Sequence, residues 1–156
     1  MSILLKTIFL SLLPISELRG GIPFAVFNGM SPLFAYLICV LANICVIPIV
    51  YLFLTYLHNW FLNIKLYNKL FLKYVERKRG KVEKYIGTKW EFLILMLFVA
   101  IPLPITGAYT GTLLAWLFKV KKKEAFLALA LGVVIAGVIV SLVTLGLISG
   151  AEVFVK

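Results

Sequence analysis

The sequence predicts an all-α integral membrane protein built as an inverted repeat. Three observations carry that prediction. The first is composition: 63% of the 156 residues are hydrophobic and 14% are charged, with a mean hydropathy of +1.08. A soluble domain is nearer roughly 45–50% and 25%, so there is too little polar surface here to cover a water-soluble globule. The second is a set of four apolar blocks, residues 3–27, 33–58, 90–118 and 124–149. The third is that blocks one and three match each other, and blocks two and four follow at the same offset.

Block one is broken by Pro14 through Gly21, inside the stretch "PISELRGGIP" that closes on Pro23. A straight span needs about 20 apolar residues, so this block reads as two short pieces around a break. Block two is nearly uninterrupted and qualifies as a span. Within it Pro48 predicts a kink, and Asn43 reads equally as interhelical glue or as a ligand contact. His58, beside Asn59 and Trp60, reads as an interface residue. Block three is broken in turn by "PLPITGAYTG", residues 102–111, which holds Pro102 and Pro104. Block four is a second uninterrupted span. Its Ala128, Gly132 and Ala136 form one small-residue face and Gly137 and Ser141 begin another, for close contact within the chain or with a second copy.

"LPIS" at 13–16 aligns with "LPIT" at 103–106, an offset of 90. The same offset places Gly21 on Gly111, Ala35 on Ala125 and Leu41 on Leu131. Interrupted segments in corresponding positions of two halves mark a transporter core. The expected layout is one membrane domain: repeat one over 1–60, a linker over 61–88 and repeat two over 89–150. Each repeat is a Pro/Gly-broken re-entrant hairpin followed by one full span.

Charge sets the expected topology. Nine of the sixteen basic residues lie between Lys65 and Lys89, and four more between Lys119 and Lys123. If the broken blocks cross the membrane, "KVKKK" falls outside, against the positive-inside bias. If they dip in and return, the linker and the 119–123 loop share the cytoplasmic face, "NGMSP" (28–32) lies outside, and both termini lie outside. Lys6, Arg19 and Lys156 are the exceptions. In the linker Lys65, Lys69, Lys73, Arg77 and Lys81 recur every fourth residue opposite an apolar side. That spacing predicts an amphipathic helix over the linker, lying on the anionic cytoplasmic leaflet across 65–89.

Other classes fall away. A net charge of +10 distributed as membrane flanks does not read as nucleic-acid binding. Cys39 and Cys45, six apart in a helical run, are too far apart for a disulfide and have no metal spacing. There is no HExxH, P-loop or GxSxG, so neither enzyme activity nor a metal or cofactor is expected. The first block lacks a small-x-small cleavage site and is expected to remain in the mature protein.

The candidate site lies in the two breaks. Backbone at membrane depth must be hydrogen-bonded within the protein or to water, so two such breaks are expected to meet. Gly20 and Gly21, and Gly107 and Gly111, open the second half-helices, whose N-termini suit an anion. Glu17 and Arg19 are the oppositely charged pair at membrane depth, where one charge costs about 2.5–3.5 kcal/mol on insertion scales. Glu17 can carry a coupling proton and Arg19 can clasp a phosphate or carboxylate. Alternatively the two pair with each other and fix the hairpin tip. Ser16, Thr106, Tyr109 and Thr110 supply hydroxyls that line the same cavity or bond nearby carbonyls.

"PISELRGGIP" and "PLPITGAYTG" resemble the two signature motifs of the small multidrug export protein family, small proteins of the prokaryotic cell membrane. The resemblance runs over nearly the whole chain and implies drug export. In outline the architecture is also similar to the DedA family, whose members pair re-entrant segments bearing acidic and arginine residues. That likeness implies proton-driven movement of polyprenyl-phosphate lipid carriers or lipid scrambling, with Glu17 and Arg19 in the first hairpin; the second break carries no arginine. The leading expectation is a proton-coupled transporter, working as a homodimer, of an anionic or phosphate-bearing amphiphile. The alternatives are an exporter of lipophilic cationic drugs and a non-transport membrane assembly factor.

Overall fold

The computed structural model describes residues 2–61, 89–103 and 106–155. Among these residues are six helices: α1 (Ile3–Leu12), α2 (Glu17–Phe27), α3 (Pro32–Phe61), α4 (Lys89–Ala100), α5 (Ala108–Leu117) and α6 (Lys122–Val155). There is no strand among the described residues. The linker expected as an amphipathic helix lies almost wholly outside them, as does Pro104.

Two short helices and then a long one, twice over, is the order the broken blocks predict. α1 starts at Ser2, whose hydroxyl accepts from the Leu5 N–H at 3.4 Å. It stops at Leu13, which has an extended ψ of 132°, because a residue before proline is driven out of the helical region. The chain then turns, with the Ser16 N–H donating to Leu13 O at 3.2 Å. Ninety residues on, the Thr106 N–H donates to Leu103 O at 3.1 Å. Pro102 lies in the second break as expected. Pro23 does not lie in the first: it sits inside α2, as Pro48 sits inside α3. A proline removes one backbone bond without ending a helix whose other bonds are retained, and in hydrocarbon those bonds have no substitute in water.

The ends of α2 and α5 match to the hydrogen bond. The Met30 N–H donates to Ala25 O and the Gly29 N–H to Val26 O, both at 3.0 Å. The Val120 N–H donates to Ala115 O at 3.0 Å and the Lys119 N–H to Trp116 O at 3.2 Å. Both are Schellman endings, which need a left-handed residue after the C-cap. One half supplies Gly29 at φ 85°, the other Lys119 at φ 56°. Lys119→Gly is therefore expected to raise the thermal midpoint in mild detergent, by relieving about 1 kcal/mol of left-handed strain; an unchanged or lower midpoint would refute the strain.

Each short pair is two helices in contact and not one continuing helix. A Cβ on Gly21 in α2 would strike the Ser11 side chain in α1, and one on Gly111 in α5 would strike Val99 in α4. Residues ten or twelve apart along one continuing helix would be about 15–18 Å apart and could not touch. The same two glycines also press on the long helices at equivalent places, Gly21 on Cys39 and Gly111 on Leu129.

α3 and α6 run antiparallel. The Tyr36 hydroxyl donates to Val134 O at 3.4 Å, Gly137 lies against Tyr36 and Val40, and the Lys122 ammonium stands 5.6 Å from the Tyr51 ring centre. Stretches Pro32–Tyr56 and Lys122–Gly150 are long and apolar enough to cross a membrane. The two small-residue faces of α6 pack against different helices. Gly132 meets Met96 O and Val99 of α4, while Gly137 meets α3. The core gathers Ile22, Val99, Leu129 and Val133, all buried. The outward faces carry Phe9, Leu33, Phe53, Leu142 and Leu147, all exposed. An apolar exterior of this extent marks a membrane-embedded surface.

Candidate functional site

The two breaks meet, and three hydrogen bonds join them. Glu17 is the first residue of α2 and takes a left-handed φ of 46°, a conformation costly for a side chain with a Cβ. Held there, its carboxylate reaches the start of α5, where Oε1 accepts from the Tyr109 N–H at 3.4 Å. An Arg19 Nη2–H donates to Thr106 O. The Tyr109 hydroxyl donates to Leu12 O, the last carbonyl of α1.

Glu17 thus fills the place that sequence reasoning assigned to a bound anion. The first N–H groups of a helix lack internal partners and carry partial positive charge. α5 directs them at the carboxylate of Glu17, a residue only 7% exposed. Gly107, the N-cap of α5, makes this possible: a Cβ there would collide with the Glu17 carboxylate. Gly107 is also the residue that aligns with Glu17 at the offset of 90. One half contributes the acid, and the other half contributes the absence of a side chain.

Glu17 and Arg19 form no ion pair with each other; each reaches across to the second break instead. Thr106 is fixed for that role. Its hydroxyl is 2.7 Å from Ile101 O and 2.9 Å from Leu103 O as donor, and accepts from the Leu103 N–H at 3.1 Å. The Gly107 N–H donates to Thr110 Oγ1 at 3.1 Å, which closes the first turn of α5.

A cavity of about 10 Å³ lies at this junction. Glu17, Arg19, Thr106 and Gly107 line it, with Asn43 from α3 and an apolar wall from α6 that includes Val133. Of the residues expected at the site, Ser16, Gly20, Gly21, Tyr109, Thr110 and Gly111 do not line it. Gly20 and Gly21 lie inside α2 rather than opening it. Gly20 makes room for the Ser16 side chain, and Gly111 serves packing against Leu129 and Val99. Asn43, left open between two roles by its sequence, is fully buried here. On the other side of Tyr109 lies a wider apolar groove of about 450 Å³, formed by Ile49, Val50, Phe53 and Leu54 of α3 with Tyr109, Thr110 and Leu113 of α5. No cluster of metal-ligating side chains occurs among the described residues.

Comparison with known proteins gives one match. A family model described as "Putative small multi-drug export protein" covers residues 17–139, which take in most of both breaks and both long helices. No curated protein and no solved structure matches the chain.

Proposed function

The chain belongs to the small multi-drug export protein family, and from that premise we propose a proton-coupled membrane transporter that moves an anionic or phosphate-bearing amphiphile. The observation that carries the reading is the Glu17 carboxylate on the N-terminus of α5. A helix N-terminus holds a phosphate or carboxylate of a ligand by the same N–H groups. Glu17 is then an internal stand-in. When it takes up a proton it loses its charge-assisted hold on α5, and the head group takes its place. Arg19, released from Thr106 O, grips the same head group. The adjoining apolar groove receives the tail.

The transport architecture in this reading is an inverted repeat with two re-entrant hairpins. α1 and α2, of 10 and 11 residues, are each about 15 Å long, half the hydrocarbon thickness. The antiparallel run of α3 and α6 supports opposed halves. It also supports a common cytoplasmic side for the end of α3 and the Lys119–Lys123 loop. Two spans and two hairpins enclose little volume, and a homodimer supplies further walls. Its interface uses a surface other than the two small-residue faces of α6, which are engaged within the chain.

A second reading follows the family's description, export of lipophilic cations with Glu17 as counter-ion. Proteoliposomes separate the two. Under an imposed proton gradient, a fluorescent single-chain phosphate amphiphile is expected to cross in the presence of the protein, while a lipophilic cationic dye is not. Dye movement that competes with protons, without phosphate-lipid movement, would replace the first reading with the second.

A further inference from the structure

The cavity between the breaks has one polar neighbour that the proposed exchange leaves unexplained. Asn43 sits in the middle of α3 with no exposed surface. Its Nδ2 donates to Ser11 O at 3.1 Å and to Cys39 O at 3.0 Å. Those two bonds fix the amide plane and tie α3 to α1. Its Oδ1 has no protein partner. A buried acceptor left without a donor costs about 1–3 kcal/mol, so such a group calls for an explanation.

The surroundings narrow the explanation. Asn43 and Glu17 line the same cavity, whose volume of about 10 Å³ is close to the minimum that admits one water molecule. A buried water needs two to four polar partners. Asn43 Oδ1, the Glu17 carboxyl group and the Arg19 guanidinium provide them. A metal cation fits poorly, because Arg19 lines the same cavity and two positive charges at such a distance repel. Among the described residues, the charged and titratable groups facing Glu17 are Arg19 from its own helix and Tyr109 from α5; the cavity residues from α4 and α6, Val99, Val133, Ala136 and Val140, are all apolar.

We infer that one water molecule bridges Asn43 Oδ1 and the Glu17 carboxyl group, and that Asn43 is the positioning residue for the proton that Glu17 carries. The inference rests on Glu17 being the proton carrier. When Glu17 is protonated its O–H donates to the water, and the water donates to Asn43 Oδ1. When Glu17 is ionised the water turns one O–H toward the carboxylate and keeps the other on Asn43. Asn43 thus holds the water through both states without itself changing protonation. The repeat counterpart of Asn43 is Val133, so Asn43→Val places in α3 a side chain that α6 already carries at the equivalent depth.

Infrared difference spectra of the full chain in liposomes, taken between acid and alkaline pH in H₂¹⁶O and H₂¹⁸O, test this. A protonated-carboxyl band lost in Glu17→Gln identifies the carrier. The inference expects, beside it, a water O–H band that shifts with ¹⁸O, is lost in Asn43→Val and is retained in Thr144→Val, a buried site elsewhere in α6. An absent Glu17 band would overturn both the proton-carrier reading and this inference. A Glu17 band with no ¹⁸O-sensitive partner, or with one that persists in Asn43→Val, would overturn the inference alone. A Glu17 band that responds to replacing potassium with sodium would assign the cavity to a cation and also overturn it. Should Asn43→Val fail to fold, the isotope shift in the unmodified protein decides the matter.

Discussion

Glu17→Gln is expected to abolish proton-gradient-driven transport in proteoliposomes, lowering the initial rate on the order of a hundredfold, the low end of what a positioned proton-transferring group contributes. The change is small in shape. Glutamine can still present an oxygen to the Tyr109 N–H, so α5 keeps a cap. It loses the charge that makes the cap strong and the ability to take up a proton. Stability should fall by only about 1 kcal/mol, since charge-assisted bonds are roughly twice as strong as neutral ones. The thermal midpoint in detergent therefore stays close to that of the unmodified protein while the rate collapses. Undiminished gradient-driven transport by this variant would remove Glu17 from the coupling step.

Gly107→Ala should have the larger effect on stability. The added methyl group falls on the Glu17 carboxylate, which is pinned by its own left-handed backbone on one side and α5 on the other. Overpacking of this kind costs about 1–3 kcal/mol, and expelling the carboxylate removes the cap of α5, worth about 1 kcal/mol more. A double-mutant cycle isolates the cause. In a Glu17→Ala background the methyl group meets little, so Gly107→Ala should cost far less there. The coupling energy read from the thermal or denaturant midpoints should reach about 1–3 kcal/mol. Additive effects of the two changes would show that Gly107 is needed for some reason other than room for the acid.

Much of the fold is legible in the sequence because its signals are local. Proline forces the residue before it out of the helix, so "LPIS" and "LPIT" mark both breaks. Runs longer than 20 apolar residues mark both long helices. The match between the two halves goes further than the three letters shared by "LPIS" and "LPIT": the same turn closes both breaks and the same Schellman bonds end both helices, with Lys119 adopting the conformation that Gly29 takes easily. Pro23 is the exception, because a proline's missing N–H is a local defect and the helix continues beyond it. The small-residue faces of α6 were visible, but not which helix each would meet.

The candidate site was legible in composition and not in connection. Glu17 and Arg19 stand out as charges in an apolar chain, yet nothing near them in the sequence names Gly107 and Thr106 as their partners. The offset of 90 held that information, since it sets Glu17 on Gly107. A long acid over a residue with no side chain, at the point where two halves meet, is a sign of one filling the other. Asn43 over Val133 is the same kind of sign: one half keeps the polar group and the other keeps the apolar shape.

That pairing bears on how such a chain could arise. An ancestor assembled from two identical half-length polypeptides would carry the same residue at both positions. With glutamate at each, two carboxylates would contend for one small void, where like charges cannot both remain ionised. With glycine at each, there would be no acid at all. A single acid at the junction requires halves that can change separately, which means two half-genes already joined into one reading frame or two different genes. Fusion of two such halves would do more than hold them together: it would let one keep the acid and the other keep the space for it.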